Sequence, residues 1–367
     1  MAKETKDPKS GGKNRFGPGL LIYAWILMIL GGAALFILQG FLKNYEASRP
    51  KYYVDSYTQL LREEVPSAAV LALDGLDPQI LSPAEKEAWL RELLQDAVLE
   101  KDAALSREER QVYAVKAADG QLLGRAVFAP ADRAEYGLPV WGTAEESFDF
   151  SAYYKITEIT VPSDYSVCLG GKLLDKDCIV ESGIPYALLE ECYLHYENLP
   201  TMVRYRTPPF VGEPLLQVLD QTGQAVPEER LTEDAFLDRC PAEIREKAEA
   251  FVPRFVELYM LFSADIQDAS HLYYDQLKRM VRQDSQLHNQ LRLAFEGLGY
   301  ASPRSVRLLS VDINRITDLG EGRYLADVSY CTEVTGSNGP VEVHDRVLLV
   351  LIDSGGTLLA DARYFLA

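Results

Sequence analysis

Cysteine and histidine supply most of a protein's nucleophiles, bases and soft metal ligands, and this 367-residue chain holds five of the first and four of the second. The cysteines are Cys168, Cys178, Cys192, Cys240 and Cys331. No two form a Cys-x-x-Cys pair, and their linear spacing fits no zinc site. Cys168 and Cys178 could meet across a β-hairpin, and outside the cytoplasm such a pair can oxidise to a disulfide. Free buried thiols are the alternative. His195, His271, His288 and His344 are scattered. His288 follows Asp284 by one helical turn, where a solvated helix edge is a simpler reading than a ligand pair. There is no Gly-x-Ser-x-Gly elbow, phosphate loop or His-Glu-x-x-His motif. On these grounds the sequence offers no catalytic residue, no cofactor-binding residue and no metal ligand set. Tyrosine is abundant, with pairs at Tyr52-Tyr53, Tyr153-Tyr154 and Tyr273-Tyr274. Exposed rings could stack on glycan or peptide, while core packing explains most of them.

The elements that would position any such chemistry begin with an apolar run. Leu20 to Leu38 is 19 residues without a charge, and from Gly19 to Leu42 only Gln39 is strongly polar. At about 1.5 Å per residue the longer stretch makes a helix of roughly 36 Å, enough to span a hydrocarbon core of about 30 Å. A cleaved signal peptide would have a shorter apolar region ending in a small-x-small site. Here Gly31, Gly32, Ala33 and Ala34 lie inside the run instead. A core helix of a soluble domain would not be apolar on every face. The reading is a retained transmembrane helix, residues 20–42, with Leu20 and Leu42 at its ends. Tyr23 and Trp25 suit an interfacial position.

The flanks set the orientation. Lys3, Lys6, Lys9, Lys13 and Arg15 against Glu4 and Asp7 make residues 1–19 a basic tail of net +3, whereas Lys43, Arg49 and Lys51 with Glu46 follow the helix. Basic excess favours the cytoplasmic side, so the tail is expected inside and the remainder outside. Taking the tail's +3 from the total of −18 leaves −21 for the exported part. That charge argues against nucleic acid, whose phosphates need clustered Lys and Arg. The composition, 47% apolar and 25% charged, excludes a wholly disordered chain.

Beyond the anchor the pattern predicts an α+β chain. Residues 49–154 begin with a helix from Tyr52 to Val65. A second is opened by Ser82-Pro83-Ala84-Glu85, a capping box with proline at the first helical position, and carries the stripe Trp89, Leu90, Leu93, Leu94, Ala97 and Val98. Strands at Gln111–Ala117 and Gln121–Ala129 meet at Asp119-Gly120, and a third is expected over Ser147–Val161. Residues 155–226 read as a small β-rich spacer, with a glycine turn at Gly170-Gly171, a short helix near Pro185–Tyr193, and strands at Met202–Arg206 and Leu215–Leu219. Residues 232–367 read as helices followed by a four-stranded meander. Pro253 is expected to kink or break the first helix. A single long helix is expected from Asp268 to Glu296, ended by Gly297 and Gly299. The strands are marked by Val306–Ile313, Tyr324–Tyr330, Val341–Ile352 and Thr357–Phe365, with turns at Gly320-Glu321-Gly322, Asn338-Gly339 and Ser354-Gly355-Gly356. Helices would cover one sheet face, leaving the other to a partner or to water.

Helices followed by a curved antiparallel meander, over 232–367 and more loosely over 49–154, resemble the cone-shaped domain of the nuclear transport factor 2-like superfamily. The hairpin Ile159–Val167 followed by Gly170-Gly171-Lys172 looks like the small β carrier modules of bacterial envelope proteins. A basic tail, one anchor, a β spacer and a terminal cone are similar to TcaA-type envelope proteins. Two cones on one anchor resemble TcpC-type conjugation proteins and related type IV secretion factors. Some cone domains are isomerases or dehydratases using an Asp, His or Tyr, and that resemblance nominates Asp327, Tyr330, His344 and Asp345. Strand alternation puts only about half of them in the cone interior.

The function expected is therefore non-catalytic and needs no cofactor. A single-pass bacterial membrane protein would bind a cell-envelope component, either a wall glycan or a membrane-protein partner, through a pocket or sheet face of residues 232–367. The alternative is a structural subunit of a conjugation or type IV secretion-like channel, with a homo-oligomer as its corollary. The charge of the exported part makes a protein or neutral glycan the easier partner.

Overall fold

A computed structural model describes residues 16–133, 137–264, 270–297, 305–337 and 339–366. Most of the basic tail, the turn residue Asn338, Gly299 and the start of the long helix expected at Asp268 lie outside the described residues. The fold is α+β: an apolar N-terminal helix is followed by antiparallel sheets with helices packed on them. Chain contacts divide it into two units, residues 1–155 with 209–214, and residues 156–208 with 215–367.

The first unit opens with α1 (Phe16–Ala47), of which Leu20–Ala47 is long and apolar enough to cross a membrane. None of it is buried. By length and composition such a helix serves as an anchor or as a signal sequence. Three helices follow, α2 (Pro50–Glu63), α3 (Ser67–Leu71) and α4 (Pro83–Gln95), then an antiparallel sheet in sequence order, β1 (Val98–Lys101), β2 (Gln111–Lys116), β3 (Leu122–Arg133) and β4 (Pro139–Phe148). Phe128 centres the core, with the rings of Tyr53, Tyr57 and Tyr113 edge-on at 5.4, 5.2 and 5.6 Å. Two polar tips reach partners: the Tyr57 hydroxyl donates to Glu146 at 2.7 Å and the Trp141 indole to the Ser48 carbonyl at 2.9 Å. Burial and the Glu146 carboxylate push the Tyr57 hydroxyl far up from its ordinary value. The strand expected over Ser147–Val161 is displaced: β4 ends at Phe148 instead of a strand beginning at Ser147. Asp149 stops it by accepting a hydrogen bond from the Ser151 amide at 2.9 Å, a local turn that competes with the ladder.

The second unit holds two three-stranded sheets and one four-stranded sheet. β5 (Glu158–Pro162), β9 (Thr201–Arg206) and β8 (Ile179–Pro185) form one sheet with β9 central. β10 (Leu216–Leu219), β6 (Ser166–Leu169) and β7 (Lys172–Leu173) form another. As expected, Gly170-Gly171 turns β6 into β7, both glycines having positive φ. Short helices α5 (Glu190–Tyr193) and α6 (Glu233–Leu237) precede α7 (Ala242–Ser263), α8 (Ser270–Met280) and α9 (Gln286–Gly297). The meander then runs β11 (Ser305–Gly320), β12 (Arg323–Gly336), β13 (Gly339–Ser354) and β14 (Thr357–Phe365), all neighbours antiparallel. Register shifts at Leu308/Ser310, Ile313/Arg315 and Asp318/Gly320 insert unpaired residues into β11, the device that bends a sheet.

Two expectations for the helices are corrected. α7 runs unbroken through Pro253, because eight of its side chains, from Ile244 to Phe262, are buried and hold the helix despite one missing amide. The helix expected over 268–296 is two helices. Between them Val281 bridges Ala360, the Arg282 amide donates to the Ala360 carbonyl at 2.9 Å, and the Ser285 hydroxyl accepts from the His288 amide at 3.0 Å as a new cap. Asp284 therefore precedes α9, and the helix edge expected for Asp284 and His288 does not form.

Both faces of the meander are covered along much of its length. Tyr324, Ala326, Val328, Val347, Leu349 and Leu351 pack with Val252, Phe255 and Leu291 of the helices. The alternate residues Leu325, Leu348 and Val350 pack with Tyr186, Leu189, Cys192, Leu199 and Met202, together with Phe236 and Leu237. Tyr186, Leu189, Cys192, Leu199 and Met202, within the 155–226 stretch expected as a spacer, thus share a core with the terminal sheet. They supply the cover that its second face required.

Candidate functional site

In the first unit, α4 borders an open groove of about 600 Å³. Its start is fixed by the capping box: Ser82 Oγ accepts from the Glu85 amide at 3.3 Å while the Glu85 carboxylate accepts from the Ser82 amide at 2.8 Å. The Ser82 hydroxyl also donates to that carboxylate at 2.6 Å, and this bond, followed by the one from the Ser82 amide, holds the Glu85 carboxyl below its ordinary value. Leu90 and Leu94 are fully buried, and the buried Lys86 ammonium donates to the carbonyls of Leu73 and Leu76 at 3.0 and 2.7 Å. That face is committed to the core, which turns Trp89, Glu92, Leu93 and Asp96 towards the groove.

The opposite wall is the turn between β2 and β3. Gly120 takes φ +85°, a left-handed conformation that glycine adopts without strain, and its amide donates to the Ala117 carbonyl at 2.9 Å. The turn presents Ala118 and Asp119. Tyr153 closes one end, its ring edge-on to Trp89 at 6.1 Å and its hydroxyl 3.3 Å from Asp119. Burial and then the Asp119 charge push that hydroxyl above its usual value. Trp89 is pinned from behind by Phe150, edge-on at 5.7 Å. Residues 209–214 complete the rim through Gly212 and Glu213, held by the mutual backbone bonds of Lys155 and Phe210 at 2.8 and 3.1 Å.

The groove therefore combines an aromatic floor with four carboxylates, Glu92, Asp96, Asp119 and Glu213, against one ammonium, Lys155. Lys155 is already paired with Glu213 at 3.1 Å, and neither Glu92 nor Asp96 has an ion pair among the described residues. Such a surface attracts a cation and offers ring faces on which it can rest. A larger depression of about 730 Å³ in the second unit is lined by Asp164, Asp220, Asp318 and Arg239, the last paired with Asp164 at 2.9 Å and stacked over Tyr165.

The four meander residues nominated by resemblance fall on two faces. Tyr330 and Asp345 pair across β12 and β13 on the helix-facing side, where burial and then the Asp345 charge push the Tyr330 hydroxyl up to about 12. The space beside Tyr330, between Phe255, Tyr259 and Leu349, is about 10 Å³, room for about one water. Asp327 and His344 lie on the other face. Asp327 is completely buried and accepts from Arg346 Nε and Nη2 at 2.7 and 2.6 Å, Arg315 Nε at 3.1 Å and Asn314 Nδ2 at 3.1 Å. Asn314 is the extra residue of a β11 bulge, which aims it at this carboxylate. Burial alone would raise the Asp327 carboxyl, but the bonds from Arg346 and Asn314 and the two guanidinium charges hold it below its ordinary value. All of Asp327's partners are structural, so it is a core ion pair.

The cysteines are all free. The disulfide considered between Cys168 and Cys178 is not formed: Leu173 stands opposite Cys168 in the hairpin, and Cys178 precedes β8 in a different sheet. Burial pushes the Cys192 thiol up to about 12, with the Glu191 charge adding to it, and Cys178 and Cys240 are also raised by burial. What linear spacing did not reveal is that Cys331 stands directly across from His344, with Glu342 two residues away on the same face. The donor atoms of all three lie within 4.8 Å of one another. The register that brings them together, with Gly336 paired to Gly339, is set by the ladder and not by their spacing in the chain.

No protein-family model and no curated protein matches the chain. Among solved structures it aligns with an Ntf2-like protein involved in plasmid conjugation, at 13% identity over 74% of this chain and 75% of that one, with a TM-score of 0.25.

Proposed function

We propose that this chain is a membrane-anchored, extracytoplasmic, non-catalytic binding protein of the bacterial envelope. In this reading α1 crosses the membrane with the basic tail inside, and the groove of the first unit holds a cationic segment of a membrane-protein partner. The observation that carries it is the juxtaposition of the Trp89–Tyr153 aromatic floor with Glu92 and Asp96, carboxylates without an ion pair among the described residues. The expected contact through a free sheet face of residues 232–367 gives way to this groove, because helices cover one face of that sheet and the preceding β-rich segment covers much of the other. A photoreactive residue in place of Leu93 in intact cells tests it. A discrete adduct with a membrane protein, diminished by Asp96→Lys, supports the reading. Adducts with wall glycan alone, or none at all, count against it.

A second reading, a structural subunit of a conjugation or type IV secretion-like channel, follows from the order of one anchor and two α+β units. It also draws on the helix surface at Gly31 and Gly32, where no atom lies within 4 Å of an added Cβ and another helix could approach closely. Sedimentation of the detergent-solubilised full chain separates the two readings. A trimer or larger species favours the channel, and a strict monomer at high concentration opposes it.

A further inference from the structure

We propose that Cys331, His344 and Glu342 form a zinc site on the exposed end of the β12–β13 hairpin. Thiolate, imidazole and carboxylate are the ligand set that zinc prefers, and three protein ligands leave a fourth position for water or an external group. The geometry is close to that of a bound ion. With Zn–S of about 2.3 Å and Zn–N of about 2.0–2.1 Å, tetrahedral coordination separates sulfur from nitrogen by about 3.6 Å. Cys331 Sγ and His344 Nε2 are 3.8 Å apart. The backbone supplies this spacing: Cys331 and His344 are directly paired in a ladder that runs unshifted from Gly336↔Gly339 to Arg323↔Ile352. Glu342 shares the face because it lies two residues from His344 on a strand. Its carboxylate needs to close only from within 4.8 Å, which an exposed side chain can do by rotation.

Burial places Cys331 apart from a surface thiol, while His344 and Glu342 are exposed and give an ion access from solvent. Coordination replaces the thiol proton, so each ion bound at Cys331 releases one proton to solvent and no redox partner is required. The hairpin end also borders an open depression of about 570 Å³ that includes Arg346 and Asp345, so a ligand on the fourth position would have room. This inference is independent of the groove in the first unit.

Cobalt is the probe. The metal-free, reduced full chain in mild detergent is titrated with Co²⁺, reading the thiolate-to-cobalt charge-transfer band and the visible bands of tetrahedral cobalt. One equivalent should give both, and Zn²⁺ should abolish them. Cys331→Ser should remove the charge-transfer band, His344→Ala should weaken binding at least about tenfold, and Cys240→Ser should change neither. Circular dichroism establishes that each variant is folded. Absence of a thiolate band at millimolar Co²⁺, or a band that persists in folded Cys331→Ser or at full strength in folded His344→Ala, overturns the proposal.

Discussion

Replacing Asp327 by asparagine removes one negative charge from a site with no access to water while keeping the side-chain shape. Four contacts to the carboxylate are affected, two from Arg346 at 2.7 and 2.6 Å, one from Arg315 at 3.1 Å and one from Asn314 at 3.1 Å. Breaking a buried pair by removing one partner costs about 3–5 kcal/mol. Here the lower end applies, because the Arg346 side chain is 43% exposed and can turn to water, and Arg315 keeps its contact with Asp234. A loss of about 3 kcal/mol corresponds to a roughly 150-fold rise in the opening equilibrium of the sheet. Hydrogen exchange followed by mass spectrometry on the full chain reads it directly, through the peptides of β12 and β13. The sign with pH follows from the depressed carboxyl of Asp327. Its contribution is complete above the ordinary carboxylate value of about 3.9 and is lost as pH falls through the lower folded-state value. The difference between Asp327→Asn and the parent should therefore be full at neutral pH and shrink in acid. Glu87→Gln breaks the exposed Glu87–Arg91 pair at 2.8 Å and should cost no more than about 0.5 kcal/mol. Exchange of β12 and β13 in Asp327→Asn within threefold of the parent at neutral pH would refute the reasoning.

Three further outcomes are expected. Ser82→Ala removes the N-cap of α4 and should destabilise the first unit by about 1 kcal/mol, seen as faster exchange at the start of that helix. Gly124→Ala should prevent β3 from pairing with β4, since the added Cβ would lie 2.1 Å from the Ser147 carbonyl oxygen; limited proteolysis should then cut the first unit at protease levels the parent resists. Non-reducing alkylation of the unfolded chain should count five free thiols, and a count of three would restore a disulfide.

What the sequence revealed depended on how local the governing interaction was. The capping box at Ser82–Glu85, the Asp119-Gly120 and Gly170-Gly171 turns, and the glycine-punctuated meander all rest on neighbours in the chain, and all are found where expected. The interrupted helix has a distant cause, and the strand expected over 147–161 is displaced by a distant partner as well as by the local turn at Asp149. β4 carries Val140-Trp141-Gly142-Thr143, which has little alternation, and it pairs because β3 lies beside it. Val281 leaves the helical path because β14 offers it a backbone partner at Ala360. The helix-breaking propensity of Pro253 is outweighed by the burial of α7. The candidate groove was legible only in fragments. Trp89 looked like one member of a core stripe, and nothing near it in sequence indicated Tyr153 or Gly212.

The most direct test of the central claim is titration of the full chain in detergent with an oligolysine peptide, comparing two charge reversals of equal size. Glu92→Lys with Asp96→Lys alters the groove, whereas Glu228→Lys with Glu229→Lys alters an exposed turn elsewhere. A groove that recognises cationic segments predicts that the first pair abolishes saturable binding and the second leaves it within about twofold. Equal loss in both variants would mean that the peptide senses only net charge, and would contradict the account.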